Sequence, residues 1–160
     1  MKRMSYLALA MLLVACLCCK KQAKVEREGI VNFMNGTVTI IDGGKRTPAK
    51  VGDTVKKGMK IETGERSFVD IFFDENAIKI LENSVVEISE LELNMNEGSE
   101  KTGLLVMKGK VFAKVARKLA KNDRFRVSTP TATAGVRGTE FLVAEADGKG
   151  LVACLKGTVE

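Results

Sequence analysis

The chain has 160 residues, enough for one ordinary core, with 26 Lys+Arg against 20 Asp+Glu, a formal net charge of +6 and no histidine. Residues 29–160 carry 20 basic against 18 acidic side chains, so the excess positive charge sits near the start and does not mark a nucleic-acid binder. Without histidine the commonest general base is missing, and no cysteine or acidic spacing suits a metal, so neither a cofactor nor a metal centre is expected.

The chain opens with Lys2 and Arg3, followed by an apolar stretch from Tyr6 to Ala15 that is too short to span a bilayer. Leu13-Val14-Ala15-Cys16 resembles the lipobox of a bacterial lipoprotein, in which the signal is cut before the cysteine and that cysteine is acylated. The resemblance implies a signal peptide over 1–15 and lipidation at Cys16; the plainer alternative is an ordinary signal peptide with a chance cysteine. Cys18 fits less well, since Ala15, Cys16 and Leu17 precede it. One acyl chain contributes about 0.8 kcal/mol per buried methylene and holds a protein only marginally, whereas the two or three chains of a lipoprotein anchor it firmly. Leu17 stands where an Asp would favour inner-membrane retention; both membranes stay open, with the outer one preferred. Residues 16–28 read as the lipidated cysteine and a flexible charged tether, whose four basic residues each contribute about 1 kcal/mol against anionic lipid.

Residues 29–160 read as a single domain dominated by strand signals. Ile30–Phe33 and Thr37–Ile41 flank Asn35-Gly36, a dipeptide suited to a tight hairpin, and Asp42-Gly43-Gly44 ends that pair. Val69, Ile71 and Phe73, then Ile78 and Ile80 after the turn Asp74-Glu75-Asn76, alternate with period two, and Val86 and Ile88 continue the pattern. These residues share a face that Asp70, Lys79, Glu87 and Ser89 do not. Asn94 to Thr102 reads as a polar loop. Leu104–Met107 and Lys110–Val115 are expected to pair across Lys108-Gly109, with one helical turn over Ala116–Ala120. Arg124–Ser128, Thr139–Val143 and Gly150–Leu155 close a series of ten or more short strands. Cys154, inside the apolar run Leu151–Leu155, reads as a small buried hydrophobe.

The most distinctive internal segment runs Thr129-Pro130-Thr131-Ala132-Thr133-Ala134-Gly135-Val136-Arg137-Gly138-Thr139-Glu140-Phe141. Pro130 removes a ladder donor, the small residues allow a close backbone crossing, and Gly135 and Gly138 bracket Val136-Arg137. This unit resembles the signature of the FecR domain family, Val-Arg-Gly-Thr-(Glu)-Phe after Thr-Pro and a run of small residues. Supporting matches are Val51-Gly52-Asp53, Ile61-Glu62-Thr63-Gly64, the Phe73–Asn76 turn, Lys108-Gly109-Lys110-Val111 and Lys156-Gly157-Thr158-Val159. The resemblance implies an all-β fold, an irregular β-solenoid or rolled β-sheet of many short strands, behind the signal peptide and tether. It also implies an extracytoplasmic role in sensing or protein interaction. Family members that regulate iron uptake carry a cytoplasmic anti-sigma segment and a transmembrane helix; here a lipid anchor is expected in place of both, so the anti-sigma role does not carry over.

Three clusters invite functional readings. Arg137 with Glu140 reads as an ion pair locking the crossing, or else as a recognition pair. Lys114, Arg117, Lys118, Lys121, Arg124 and Arg126 form a basic run that is either a solvated face or a patch for anionic lipid, glycan or an acidic partner. Asp70, Asp74 and Glu75 have neither EF-hand spacing nor a hydrolase-like pairing, and read as turn residues. With no nucleophile elbow or phosphate loop, the expectation is a non-catalytic, lipid-anchored binding or sensing module of the bacterial envelope. Its expected partner is an envelope protein or glycan, with no nucleic acid and no small-molecule substrate identified. The alternative is a structural lipoprotein that self-assembles through exposed strand edges.

Overall fold

The computed structural model describes residues 24–115, 119, 122–136 and 139–156. The signal peptide, Cys16, Cys18, Cys19, Arg117, Lys118, Lys121, Arg137, Gly138, the expected helical turn (Leu119 apart) and Gly157–Glu160 lie outside the described residues. Within them fourteen strands form a single branched sheet: β1 (Lys24–Glu26), β2 (Gly29–Asn35), β3 (Val38–Asp42), β4 (Lys45–Pro48), β5 (Thr54–Val55), β6 (Lys60–Thr63), β7 (Phe68–Phe73), β8 (Asn76–Ile80), β9 (Val85–Asn94), β10 (Ser99–Lys114), β11 (Arg124–Ser128), β12 (Thr133–Val136), β13 (Glu140–Ala146) and β14 (Lys149–Lys156). The fold is all-β, and of the two expected architectures it is the rolled sheet, curled into a half-barrel. Among the described residues no helix is long and apolar enough to cross a membrane.

Strand β10 is the spine. Its first half pairs with β9 and, in parallel, with β11; its second half pairs with β8 and β13. One wing therefore runs β4-β3-β6-β9-β10-β11-β12 and the other β5-β2-β7-β8-β10-β13-β14, with β1 also on β9. The alternating residues of both wings merge into one core: Ile61, Val86, Ile88, Leu104, Val106 and Val127 from the first, and Val31, Val69, Ile71, Phe73, Ile78, Ile80, Val111 and Val143 from the second. Period two delivers this, since each strand turns alternate residues inward.

The spine corrects one expectation. Leu104–Met107 and Lys110–Val115 do not fold back on each other; both runs, up to Lys114, belong to one continuous strand. The inward residues shift from even positions, Leu104 and Val106, to odd ones, Val111 and Ala113, which is the signature of one inserted residue. The extra residue is Met107, skipped where the pairing with β9 slips between Val106 and Lys108, and Gly109 follows it at φ 92°. A Cβ on Gly109 would meet Ser84 Oγ at 2.1 Å and Ser84 Cα at 2.5 Å, so nothing larger than glycine fits.

The second correction concerns Asn35-Gly36. Gly36 does turn, at φ 76°, yet β2 and β3 do not pair: β2 joins β7 and β5, and β3 joins β4 and β6. The turn is a crossover between wings, fixed by Ser67 Oγ, which accepts from Thr37 N–H at 2.9 Å. The tight hairpin lies one step later, where Gly43-Gly44, both at positive φ, join Asp42 to Lys45. Two smaller differences follow from pairing. The loop expected over 94–102 shrinks to 95–98, because Ser99–Thr102 pair with β9, and the charged segment contributes Lys24–Glu26 to the sheet as β1.

Candidate functional site

The described part of the 129–141 segment is a turn-and-return. Thr129 N–H donates to Ala132 O at 2.7 Å, and Thr129 Oγ1 accepts from Ala132 N–H at 3.0 Å, closing the turn between β11 and β12. Pro130 is exposed at this turn, where no ladder donor is needed. Gly150 of β14 lies against it: its N–H donates to Thr131 Oγ1 at 3.1 Å, and a Cβ there would meet Thr129 Oγ1 at 2.3 Å. On the return, Thr139 O accepts from Val115 N–H at 3.0 Å, while Thr139 Oγ1 is buried without a partner. Glu140 stands 3.6 Å from Lys114 Nζ, and Phe141, fully buried, meets Phe125 edge-on at 6.4 Å.

Cys154 corrects the reading of the apolar run Leu151–Leu155: it is exposed, as are Leu151 and Leu155. Among the described residues strand β14 pairs only with β13, so a run that would be covered in an inner strand stays open to solvent here.

Of the basic run, Lys114, Arg124 and Arg126 are described. Arg124 and Arg126 alternate on the outward side of β11 with Lys101 of β10 opposite Arg124, whereas Lys114 lies at the other end of β10 beside Glu140. The acidic residues are tied up structurally. Asp70 lies opposite Lys79 with Oδ1 at 3.1 Å from its Nζ, and Lys79 also stands 4.2 Å over the Phe68 ring. Asp74, at φ 53°, turns the β7–β8 hairpin and pairs with Arg27, which also reaches Glu100 at 3.6 Å. A shallow hollow of about 250 Å³ lined by Asp74, Glu75, Asn76 and Glu100 remains there. Among the described residues no group of three His, Cys, Asp or Glu side chains could hold a metal ion.

A second concavity lies elsewhere. A cleft of about 790 Å³ opens at the far end of the same hairpin, where Phe68 begins β7 and Leu81 follows β8, and it continues along Met107–Lys110 and Ala144–Gly148. Its rim is made of tight turns, with Arg66, Asn83, Gly109, Asp147 and Gly148 all at positive φ. Glu145 lines it and is 4% exposed. Sequence reasoning passed over this residue, yet the signal was present: Phe141, Val143 and Glu145 share one parity, so an acid occupies an inward position of a strand.

The architecture is a rolled β-sheet domain with a half-open cleft at one end of the β7–β8 hairpin. The family comparison specifies it: the model of the family described as FecR protein matches residues 59–160, more than half of the sequence, and the chain belongs to the FecR family. That family is regulatory, and its domain is typically extracytoplasmic in the envelope. No curated protein and no solved structure matches the chain.

Proposed function

We propose that the chain is a lipid-anchored, extracytoplasmic module of the bacterial envelope that works without catalysis, by binding or sensing an envelope protein or glycan. The family match over residues 59–160 carries this reading, because it assigns the β domain to a sensing and signalling class. The sequence around Cys16 supports the anchor, and an exposed Arg124 with a half-buried Arg126 offers a surface for an acidic partner. Two experiments test it. Labelled palmitate is expected to enter the wild-type chain and not Cys16→Ser; equal labelling of both removes the anchor. Crosslinking in intact cells is expected to trap one discrete envelope partner, and recovery of the chain alone or only as its own oligomer removes the hetero-partner.

Self-assembly is a second reading with an observation of its own, the edge strand β14 with Leu151 60% and Leu155 64% exposed. Sedimentation of the full chain in detergent separates the two: concentration-dependent growth favours assembly, and a constant monomer mass excludes it.

A further inference from the structure

Period two gives the two wings unlike outer faces. On the first wing, Lys60, Glu62 and Glu87 alternate with buried Ile61 and Val86, and they form solvated pairs: Arg46 lies 2.8 Å from Glu62, and Lys60 3.5 Å from Glu87. That is the usual outside of an antiparallel sheet, polar where it meets water. On the second wing, the residues beside buried Val31, Ile71, Val111 and Val143 are Ile30, Phe72, Phe112 and Leu142.

These outward residues are contiguous. Ile30 lies opposite Phe72, and the Phe33 ring meets Phe68 at 5.7 Å. Phe112 lies opposite Leu142, and Leu142 opposite Ala153 of β14. Ile30 is 52% exposed, Phe33 51% and Phe72 41%. Two ion pairs stand among them, Asp70 with Lys79 at 3.1 Å and Lys114 with Glu140 at 3.6 Å. Lys110, Lys149 and Lys156, at further outward positions of β10 and β14, give these strands a basic excess. An apolar band that crosses a whole wing marks a face that something covers.

The chain itself narrows what covers it. Seven residues separate Cys16 from Lys24, the first residue of β1, and fully extended they reach about 25–30 Å, the diameter of a small domain. The chain then enters beside this face: Arg27 pairs with Asp74 in the β7–β8 turn, and Ile30 takes its place opposite Phe72. With Cys16 acylated, a bilayer surface is held within that reach, so docking is intramolecular and needs little affinity of its own. A protein partner or a second copy has to supply that affinity from solution.

We propose that the outer face of the second wing docks on an anionic lipid surface, the one that holds the chain's own acyl anchor, with Ile30, Phe33 and Phe72 in its interfacial layer. The inference rests on acylation at Cys16.

The sequence contains no tryptophan, so a single introduced indole reports on its own surroundings. The full chain, expressed with labelled palmitate, is reconstituted into vesicles of phosphatidylethanolamine and phosphatidylglycerol, with acyl chains either plain or brominated near the headgroup. Emission from Phe72→Trp and from Phe33→Trp is expected to fall at least about twofold in the brominated vesicles, while Arg46→Trp, on the first wing's outer face, keeps nearly all of its own. Unquenched emission from both phenylalanine variants of a labelled chain overturns the docking, leaves the anchor standing and gives the face to a protein partner. Equal quenching of Arg46→Trp shows that no face is preferred and overturns the docking too. A chain that takes up no palmitate overturns the anchor, and the docking falls with it. Ile30→Asp added to Phe72→Trp is expected to remove most of the quenching without lowering the melting temperature, because Ile30 is half exposed. Undiminished quenching in that double variant overturns the assignment of the face.

Discussion

The two ends of the β7–β8 hairpin hold acidic groups in opposite conditions. At the turn, the Asp74 side chain is 60% exposed, and Arg27, only 10% exposed, reaches it from β1's end of the chain. At the open end, Glu145 is 4% exposed beside Phe68 and Leu81 and its Oε2 has no partner. Water would have satisfied Asp74, yet it is paired; Glu145 has neither water nor a donor on that oxygen. The first arrangement fastens a hairpin. The second costs stability, because a carboxyl oxygen is held out of water with no donor.

The comparison depends on a frame that keeps the open end open, and Gly109 is its centre. Gly109→Val would place a branched side chain at φ 92° and within 2.5 Å of the Ser84 backbone. A loss above about 3 kcal/mol is expected, the largest effect of any change considered, and it would appear as a collapse of the urea midpoint. A near-native midpoint would show that the bulge does not hold the two wings in place. Next comes Arg27→Ala, expected to remove about 1–3 kcal/mol because Glu100 loses a charged neighbour as well as Asp74; the exposure of Asp74 keeps the loss below that of a fully buried pair. Glu145→Leu should move the other way, raising stability by about 1 kcal/mol by replacing an unsatisfied acid with an apolar group in the row of Phe141 and Val143. Opposite signs for these two substitutions in thermal unfolding would establish the contrast between the ends; a loss at both would erase it.

The same contrast marks what could be read from the sequence. The alternation of Val69, Ile71, Phe73, Ile78, Ile80, Val86 and Ile88 was legible because burial follows directly from period two, and all seven are buried. The Phe73–Asn76 turn was legible because both of its strands are local. Gly36 and Gly109 were misread for a common reason. A glycine at positive φ serves a hairpin, a crossover or a bulge equally well, and only the distant partner, Ser67 in one case and Ser84 in the other, decides among them. Parity held more information than was used: the change from Leu104 and Val106 to Val111 and Ala113 announces the bulge, and the run ending at Glu145 announces an inward acid. The cleft itself was not legible, since Arg66, Asn83, Gly109 and Asp147 come together only through the pairing of β8, β10 and β13.

The smallest effect comes from charges that, like Asp74 and unlike Glu145, have both water and a partner. Lys56 Nζ lies 2.6 Å from Glu28 and Lys57 Nζ 2.9 Å from Glu92. Each lysine is raised above its ordinary 10.5, first by the hydrogen bond to its glutamate and then by that glutamate's charge. A raised folded-state value means that the proton is held more tightly in the native chain, so the contribution is complete below 10.5 and is lost as pH rises through the folded value. Unfolding midpoints of wild type and Glu28→Gln, taken about one unit below and one unit above 10.5, should therefore converge at the higher pH. Both side chains are solvated, so the difference at the lower pH should be slight and should vanish in 1 M salt, where the screening length is about 3 Å. A difference that survives that salt would mean that Glu28 acts through packing rather than charge, and the line between fastened and solvated carboxylates would have to be redrawn to include it.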